Sequence, residues 1–141
     1  MTVRAVLDTN VIIAGERSSS ATSPGREILQ RWLDGEFVLL YTVDTLTEYG
    51  RKLRETGIAS PRIHELLVDL AFLGEQVTVS HFHERHLPSD PDDIAFLLCA
   101  TNGDATHLVT YDSDFDPIRD HHDFTVCRPL EFLAELRAEG N

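Results

Sequence analysis

Near-continuous apolar runs recur along this chain, and helical patterns separate them. Val3-Arg4-Ala5-Val6-Leu7, Phe37-Val38-Leu39-Leu40-Tyr41, Leu108-Val109-Thr110 and Phe124-Thr125-Val126-Cys127 are β-prone and bounded by turn formers. A strand with one wet face alternates polar and apolar residues; a strand covered on both faces does not. These runs therefore belong to a mainly parallel central sheet with helices on both sides, an α/β arrangement. In such sheets the ligand crevice lies outside the carboxyl ends of the strands. Two of the runs empty into carboxylates there: Asp8 directly follows the first, and Asp112 follows Leu108-Val109-Thr110.

The intervening segments read as helices. Pro24-Gly25 precedes Ile28, Leu29, Trp32 and Leu33, with Asp34-Gly35 as a stop. Thr42 or Asp44 can cap a helix carrying Leu46, Tyr49 and Leu53. Ser60-Pro61 opens another, with Ile63, Leu66, Leu67, Leu70, Ala71 and Leu73, ended by Gly74, after which Val77 and Val79 mark a minor strand. Pro88 to Pro91 is a turn. Asp92 and Asp93 start a helix that is apolar on both faces and closes at Asn102-Gly103, and a last helix follows Pro129. Asp8-Thr9-Asn10 reads as a polar corner and Ser18 to Ser23 as a loop. The expected order is βαβααβαββα, in one domain over residues 1–141, with 42% hydrophobic residues to fill its core.

Charge narrows the function. Lys and Arg total 12 against 24 Asp and Glu, a formal net charge of -12, which excludes a protein that holds nucleic acid through a broad basic face. The apolar-leaning stretch from Val3 to Gly15 carries Arg4 and Asp8 and is too short and polar for a membrane span or signal peptide, so a cytoplasmic location is expected. Cys99 and Cys127 have no C-x-x-C or Cys/His zinc spacing and read as reduced packing thiols.

The acids are the chemistry. Asp8 and Asp112 follow strands, Asp93 begins a helix, and Glu48 lies on the helix after the second strand. Each alone has an ordinary reading as a strand-end cap, a turn, a helix cap or a solvated side chain. Their joint placement at one end of a sheet is the signal. Converging carboxylates repel, and a hard divalent cation resolves that repulsion: Mg²⁺ or Mn²⁺ prefers oxygen ligands and is held by a few carboxylates plus substrate phosphate. Such a site suits phosphodiester hydrolysis by metal-activated water. It also lets an acidic protein approach phosphates, with Arg51, Lys52 and Arg54 as local support; Arg51 or Lys52 can pair with Glu48 or bind phosphate.

Val6-Leu7-Asp8-Thr9-Asn10-Val11, Glu48-Tyr49, Asp90-Pro91-Asp92-Asp93-Ile94-Ala95-Phe96-Leu97 and Leu108-Val109-Thr110-Tyr111-Asp112-Ser113-Asp114-Phe115 resemble, in order, the four acidic motifs of PIN-domain ribonucleases. The likeness runs through most of the chain. It implies a three-layer α/β/α sandwich and a Mg²⁺- or Mn²⁺-dependent endoribonuclease, often the toxin of a bacterial toxin–antitoxin pair. RNA would be the substrate, with a cognate antitoxin protein and a homodimer as further partners and no membrane role. By position, the resemblance makes Asp8, Glu48, Asp93 and Asp112 the catalytic and metal-binding acids, Asp92 the reserve for Asp93, and Asp114 an auxiliary ligand. Asn10 and Thr110 would orient Asp8 and Asp112 by hydrogen bonding.

Other features compete. His81-Phe82-His83-Glu84-Arg85-His86 resembles the His-x-His-x-Asp-His motif of metallo-β-lactamase-fold zinc hydrolases, but Arg85 stands where that motif has Asp; an exposed polar loop is the simpler reading. His121-His122 is given no role. Ile63, Leu66, Leu67 and Leu70, with Phe72 and Leu73, are core or a dimer seam. A non-catalytic PIN-like module that binds RNA or a protein is the second functional reading.

Overall fold

Ala5, Val6 and Leu7 are consecutive and all fully buried, which is possible only for a strand covered on both faces. They belong to β1 (Arg4–Leu7), the middle of a five-stranded sheet completed by β2 (Val38–Tyr41), β3 (Glu75–Gln76), β4 (His107–Val109) and β5 (Thr125–Cys127). The computed structural model describes residues 2–20 and 22–139, so Ala21 of the expected serine-rich loop lies outside the described residues. Every strand pairing is parallel and the spatial order is β3-β2-β1-β4-β5, with Ala5 opposite Leu39 on one side and His107 on the other. Chain order reverses at β1, so the carboxyl ends of β1 and β4 lie side by side at the switch point where such sheets bind ligands.

Among the described residues, six helices flank the sheet in the three-layer α/β/α arrangement: α1 (Thr9–Arg17), α2 (Pro24–Leu33), α3 (Val43–Arg54), α4 (Ser60–Leu73), α5 (Ile94–Asn102) and α6 (Pro129–Glu139). α5 packs on β1, β2 and β4, α4 on β2 and β3, and α6 on β4 and α2. Short 3-10 turns, Pro91–Asp93 and Ser113–Ile118, lead into α5 and follow β4. Phe37 and Phe132 meet edge to face at 5.2 Å in the core. The thiols of Cys99 and Cys127 are free and buried, and burial pushes both up to about 12, which leaves them inert as nucleophiles.

Two elements differ from the sequence reading. The polar corner at Asp8-Thr9-Asn10 is the start of α1, an extra helix. Val11, Ile12, Ile13 and Ala14 form a continuous apolar run without helical spacing, so periodicity could not show it. The minor strand lies at Glu75–Gln76, both exposed, and not at Val77 and Val79. Val77 instead turns into the core while its N–H donates to the Tyr41 carbonyl at 2.7 Å. An edge strand is set by backbone pairing, here Leu40 with Glu75 and Tyr41 with Gln76, and so carries no apolar signature. Along α4, Ile63, Leu66 and Leu70 enter the core, Leu67 packs partly against it, and Phe72 and Leu73 stay exposed.

Candidate active site

Asp8 is the first residue beyond β1, and its N–H extends the ladder by donating to the Val109 carbonyl at 2.9 Å. Its side chain caps α1, with Oδ1 accepting from the Thr9 N–H at 2.8 Å. Oδ2 accepts from the Thr110 hydroxyl at 2.7 Å. That hydroxyl also accepts the Asp112 N–H at 2.9 Å, and Asp112 Oδ1 in turn accepts the Asp114 N–H at 3.0 Å, which starts the 3-10 turn after β4. Asn10 does not reach the carboxylates: its side-chain oxygen accepts the Tyr111 N–H at 3.3 Å and braces the loop instead.

The third group of acids comes from the turn before α5. Asp90 Oδ1 accepts the Asp92 N–H at 2.9 Å, and the Ser89 N–H donates to the Asp114 carbonyl at 2.8 Å, tying this loop to the one after β4. In a 3-10 turn residues three apart eclipse one another, so Asp90 and Asp93 share a side while Asp92 leaves it. One oxygen each of Asp90, Asp93 and Asp114 lies within 4.8 Å of the others. The Asp92 side chain is 65% exposed, with its carboxylate 3.8 Å from Arg51.

Glu48 is supplied by α3. Thr42 and Thr45 form a reciprocal cap at its start, and the buried Tyr49 hydroxyl donates to the Leu7 carbonyl, which fixes α3 against the end of β1. Arg51 holds the Glu48 carboxylate with two hydrogen bonds, at 2.8 and 3.2 Å. Lys52 points elsewhere. It lines a cavity of about 250 Å³ together with Asp8, Asn10, Glu48, Asp90, Asp92, Asp93 and Asp112. The four acids named first from the sequence therefore face one cavity, and Asp114 joins through its grouping with Asp90 and Asp93. Asp90 is the acid that sequence reasoning passed over; its separation of three from Asp93 within a Pro-initiated turn was the available signal.

Crowding shows in the acidities. Burial, and then the charges of Asp112 and Asp114, push the Asp8 carboxyl up to about 6 against the pull of its hydrogen bonds. Burial and the neighbouring Asp8, Asp90, Asp114 and Asp112 push Asp93 up to about 7, and Asp114 is also raised. The donors are carboxylate oxygens, and among the described residues Lys52 is the one cation lining the cavity, with Arg51 beside it on Glu48. That donor set fits a hard divalent cation. His81 and His83 are exposed and do not line this cavity.

A family profile described as PIN domain matches residues 4–114, an interval that holds each of these acids. Among solved structures, the fold is similar to VapBC2 from Rickettsia felis bound to a DNA fragment from their promoter, with a TM-score of 0.59 and 11% identity over 89% of this chain and 98% of that one. No curated protein matches the chain.

Proposed function

The chain belongs to the PIN domain family, and from that premise we propose that it is a divalent-metal-dependent endoribonuclease of the cytoplasm, the toxin of a bacterial toxin–antitoxin pair. One observation carries the reading: Asp8, Glu48, Asp93 and Asp112, far apart in sequence, line one cavity at the switch point of the sheet. Among the described residues no helix is long and apolar enough to cross a membrane. The likeness to VapBC2 supports a chain that works beside a protein partner.

In this reading Asp8, Asp93 and Asp112 would hold Mg²⁺ or Mn²⁺, with Asp90 and Asp114 as further oxygen donors. An ion held there would supply charge that offsets the phosphate and acidity for a water nucleophile. Thr110 and the Thr9 N–H keep the Asp8 carboxylate in a single orientation. Glu48, steadied by Arg51, positions a water at the cavity wall. Lys52 contacts a substrate phosphate, which admits RNA to an otherwise anionic site.

The test is cleavage of single-stranded RNA in Mg²⁺ or Mn²⁺ by the wild type, Asp8→Asn and Asp112→Asn. The wild type cuts internally and both variants lose at least about a hundredfold in rate. Equal cleavage by all three overturns the assignment, and wild-type RNA binding without cleavage favours the non-catalytic module. A small adjacent upstream gene encoding a partner that blocks cleavage would support the toxin role.

A further inference from the structure

Three of the side chains that line the acid cavity carry hydrogen-bond donors, Thr9, Asn10 and Lys52, and the other polar ones there are carboxylic acids. Thr9 is the first residue of α1 and is only 6% exposed. Its N–H is committed, donating to Asp8 Oδ1 at 2.8 Å. Its hydroxyl is not: Oγ1 is buried and has no hydrogen-bond partner. Deeper in a helix a threonine hydroxyl bonds the carbonyl one turn back, but residue 9 has no helical turn behind it. Nor does it bond Asp8, Asp93 or Asp112, which share the cavity with it. Asn10 is divided in the same way. Its Oδ1 accepts the Tyr111 N–H at 3.3 Å, while Nδ2 has no protein acceptor among the described residues.

An unpaired buried hydroxyl weakens the fold that contains it, and native structures hold few such groups. In the wall of a cavity, the partner it lacks is a group that enters. That group must accept a hydrogen bond, which excludes a cation, and the acids of the same cavity already provide for one. A phosphate oxygen fits. Thr9 stands at the N-terminus of α1, where helix N–H groups favour negative charge, and Lys52 supplies a cation in the same lining. We propose that Thr9 contacts the substrate, its hydroxyl donating to a non-bridging phosphate oxygen of the nucleic acid strand, with Asn10 Nδ2 and Lys52 as flanking donors. The inference rests on the nuclease reading and divides the cavity in two: acids that take a cation, and a wall of α1 residues with Lys52 that takes the phosphate. The hydroxyl and methyl of threonine sit on one carbon, so a single χ1 step turns Oγ1 toward a ligand without moving α1. Serine would offer the same donor. Valine keeps the branched shape and offers none.

The experiment compares the full-length wild type with Thr9→Val and Thr9→Ser. In chelator, Thr9→Val is expected to melt no lower than the wild type, because it removes a hydroxyl that has no partner. A lower Tm would mean that the hydroxyl is paired within the fold and would overturn the proposal. Fluorescein-labelled single-stranded RNA is then titrated in Ca²⁺, another oxygen-seeking cation, and binding is read by anisotropy, apart from cleavage in Mg²⁺ or Mn²⁺. Thr9→Val is expected to bind about three- to tenfold more weakly and to lose kcat/KM by a similar factor, while Thr9→Ser stays within about twofold of the wild type. Mn²⁺ affinity measured by calorimetry without RNA is expected to be the same in all three. Equal RNA affinity of Thr9→Val and the wild type, a Thr9→Ser variant as weak as Thr9→Val, or a fall in Mn²⁺ affinity would each overturn the phosphate contact, and cleavage by the wild type would still stand. Wild-type RNA binding without cleavage would defeat the nuclease reading instead, with Thr9 then judged on the affinities. A wild type that neither binds nor cuts RNA overturns both.

Discussion

The hydroxyl of Thr110, at the end of β4, donates to the Asp8 carboxylate at the end of β1, and the same oxygen accepts the N–H of Asp112. One small side chain thus registers two neighbouring strand ends and the two acids that leave them. Thr110 is 2% exposed, so no solvent replaces it if it is lost.

Thr110→Val keeps the shape and removes the hydroxyl. Asp8 Oδ2 then has no donor, and the cost is about 1–3 kcal/mol of stability in denaturant unfolding. Mn²⁺ affinity measured by calorimetry falls about 10- to 100-fold because the ligand loses its orientation. Thr110→Ser restores most of both, and a Val variant with wild-type Mn²⁺ affinity would show that Asp8 is held by Thr9 alone.

The raised acidities predict a pH dependence of the metal-free protein. Asp8 titrates at about 6 and Asp93 at about 7 in the fold, both from an ordinary value of 3.8. Between about pH 4 and pH 7 the folded chain therefore holds more protons than the unfolded chain, so stability falls as pH rises across that window. For the buried Asp8 the ceiling is about 3 kcal/mol. Divalent metal binds the ionised form, so the rise in Tm on adding Mn²⁺ grows from pH 4.5 to pH 8. An equal rise at both pH values counts against these carboxylates as the ligands.

Removing an acid should then stabilise what it disables. Asp93→Asn relieves repulsion from Asp8, Asp90, Asp112 and Asp114, so its Tm in chelator at pH 8 exceeds that of the wild type. The same variant loses most of its Mn²⁺-induced rise in Tm and its RNA cleavage. A lower Tm in chelator would mean that the Asp93 carboxylate is part of the scaffold.

Arg51 and Lys52 are adjacent and act differently. Arg51 is engaged by Glu48, Glu55 and Asp92, whereas Lys52 lines the cavity with no ionic partner among the described residues. Lys52→Ala is expected to weaken RNA binding and to reduce the slope of log affinity against log salt by about one. Arg51→Ala frees Glu48 and changes Mn²⁺ affinity more than RNA affinity. Identical salt slopes for Lys52→Ala and the wild type would remove Lys52 from the phosphate contacts.

The legible parts of this chain were those in which burial dictates residue type. The runs ending at Leu7, Tyr41 and Val109 are covered on both faces, so their apolar content exposed both the parallel sheet and the strand ends from which Asp8 and Asp112 emerge. β3 was misplaced because its Glu75 and Gln76 contribute only backbone to the sheet edge. α1 was missed because its apolar residues are contiguous and its crossing with α2 uses glycine. Asp90 was passed over because direction within a 3-10 turn, and not residue type, decides which of three neighbouring aspartates faces the others.

That α1–α2 crossing gives a test of how rigidly the site is mounted. A Cβ at Gly25 would sit 2.8 Å from the Val11 carbonyl oxygen and the Gly15 nitrogen, and one at Gly15 would sit 2.8 Å from the Gly25 carbonyl oxygen. These neighbours are backbone and cannot rotate away, so Gly25→Ala must separate the helices. Alanine favours a helix over glycine by about 1 kcal/mol, but overpacking costs about 1–3 kcal/mol, and the balance is a destabilised protein. The displacement reaches the acids because α1 begins at the Asp8 cap. Gly25→Ala is therefore expected to lower both the unfolding midpoint and Mn²⁺ affinity, although residue 25 lines no part of the acid cavity. Unfolding in denaturant and calorimetry measure the two effects separately. A stabilised variant would show that the helices part without cost, and reduced stability with unchanged Mn²⁺ affinity would show that Asp8 is held by β1 and Thr110 independently of α1.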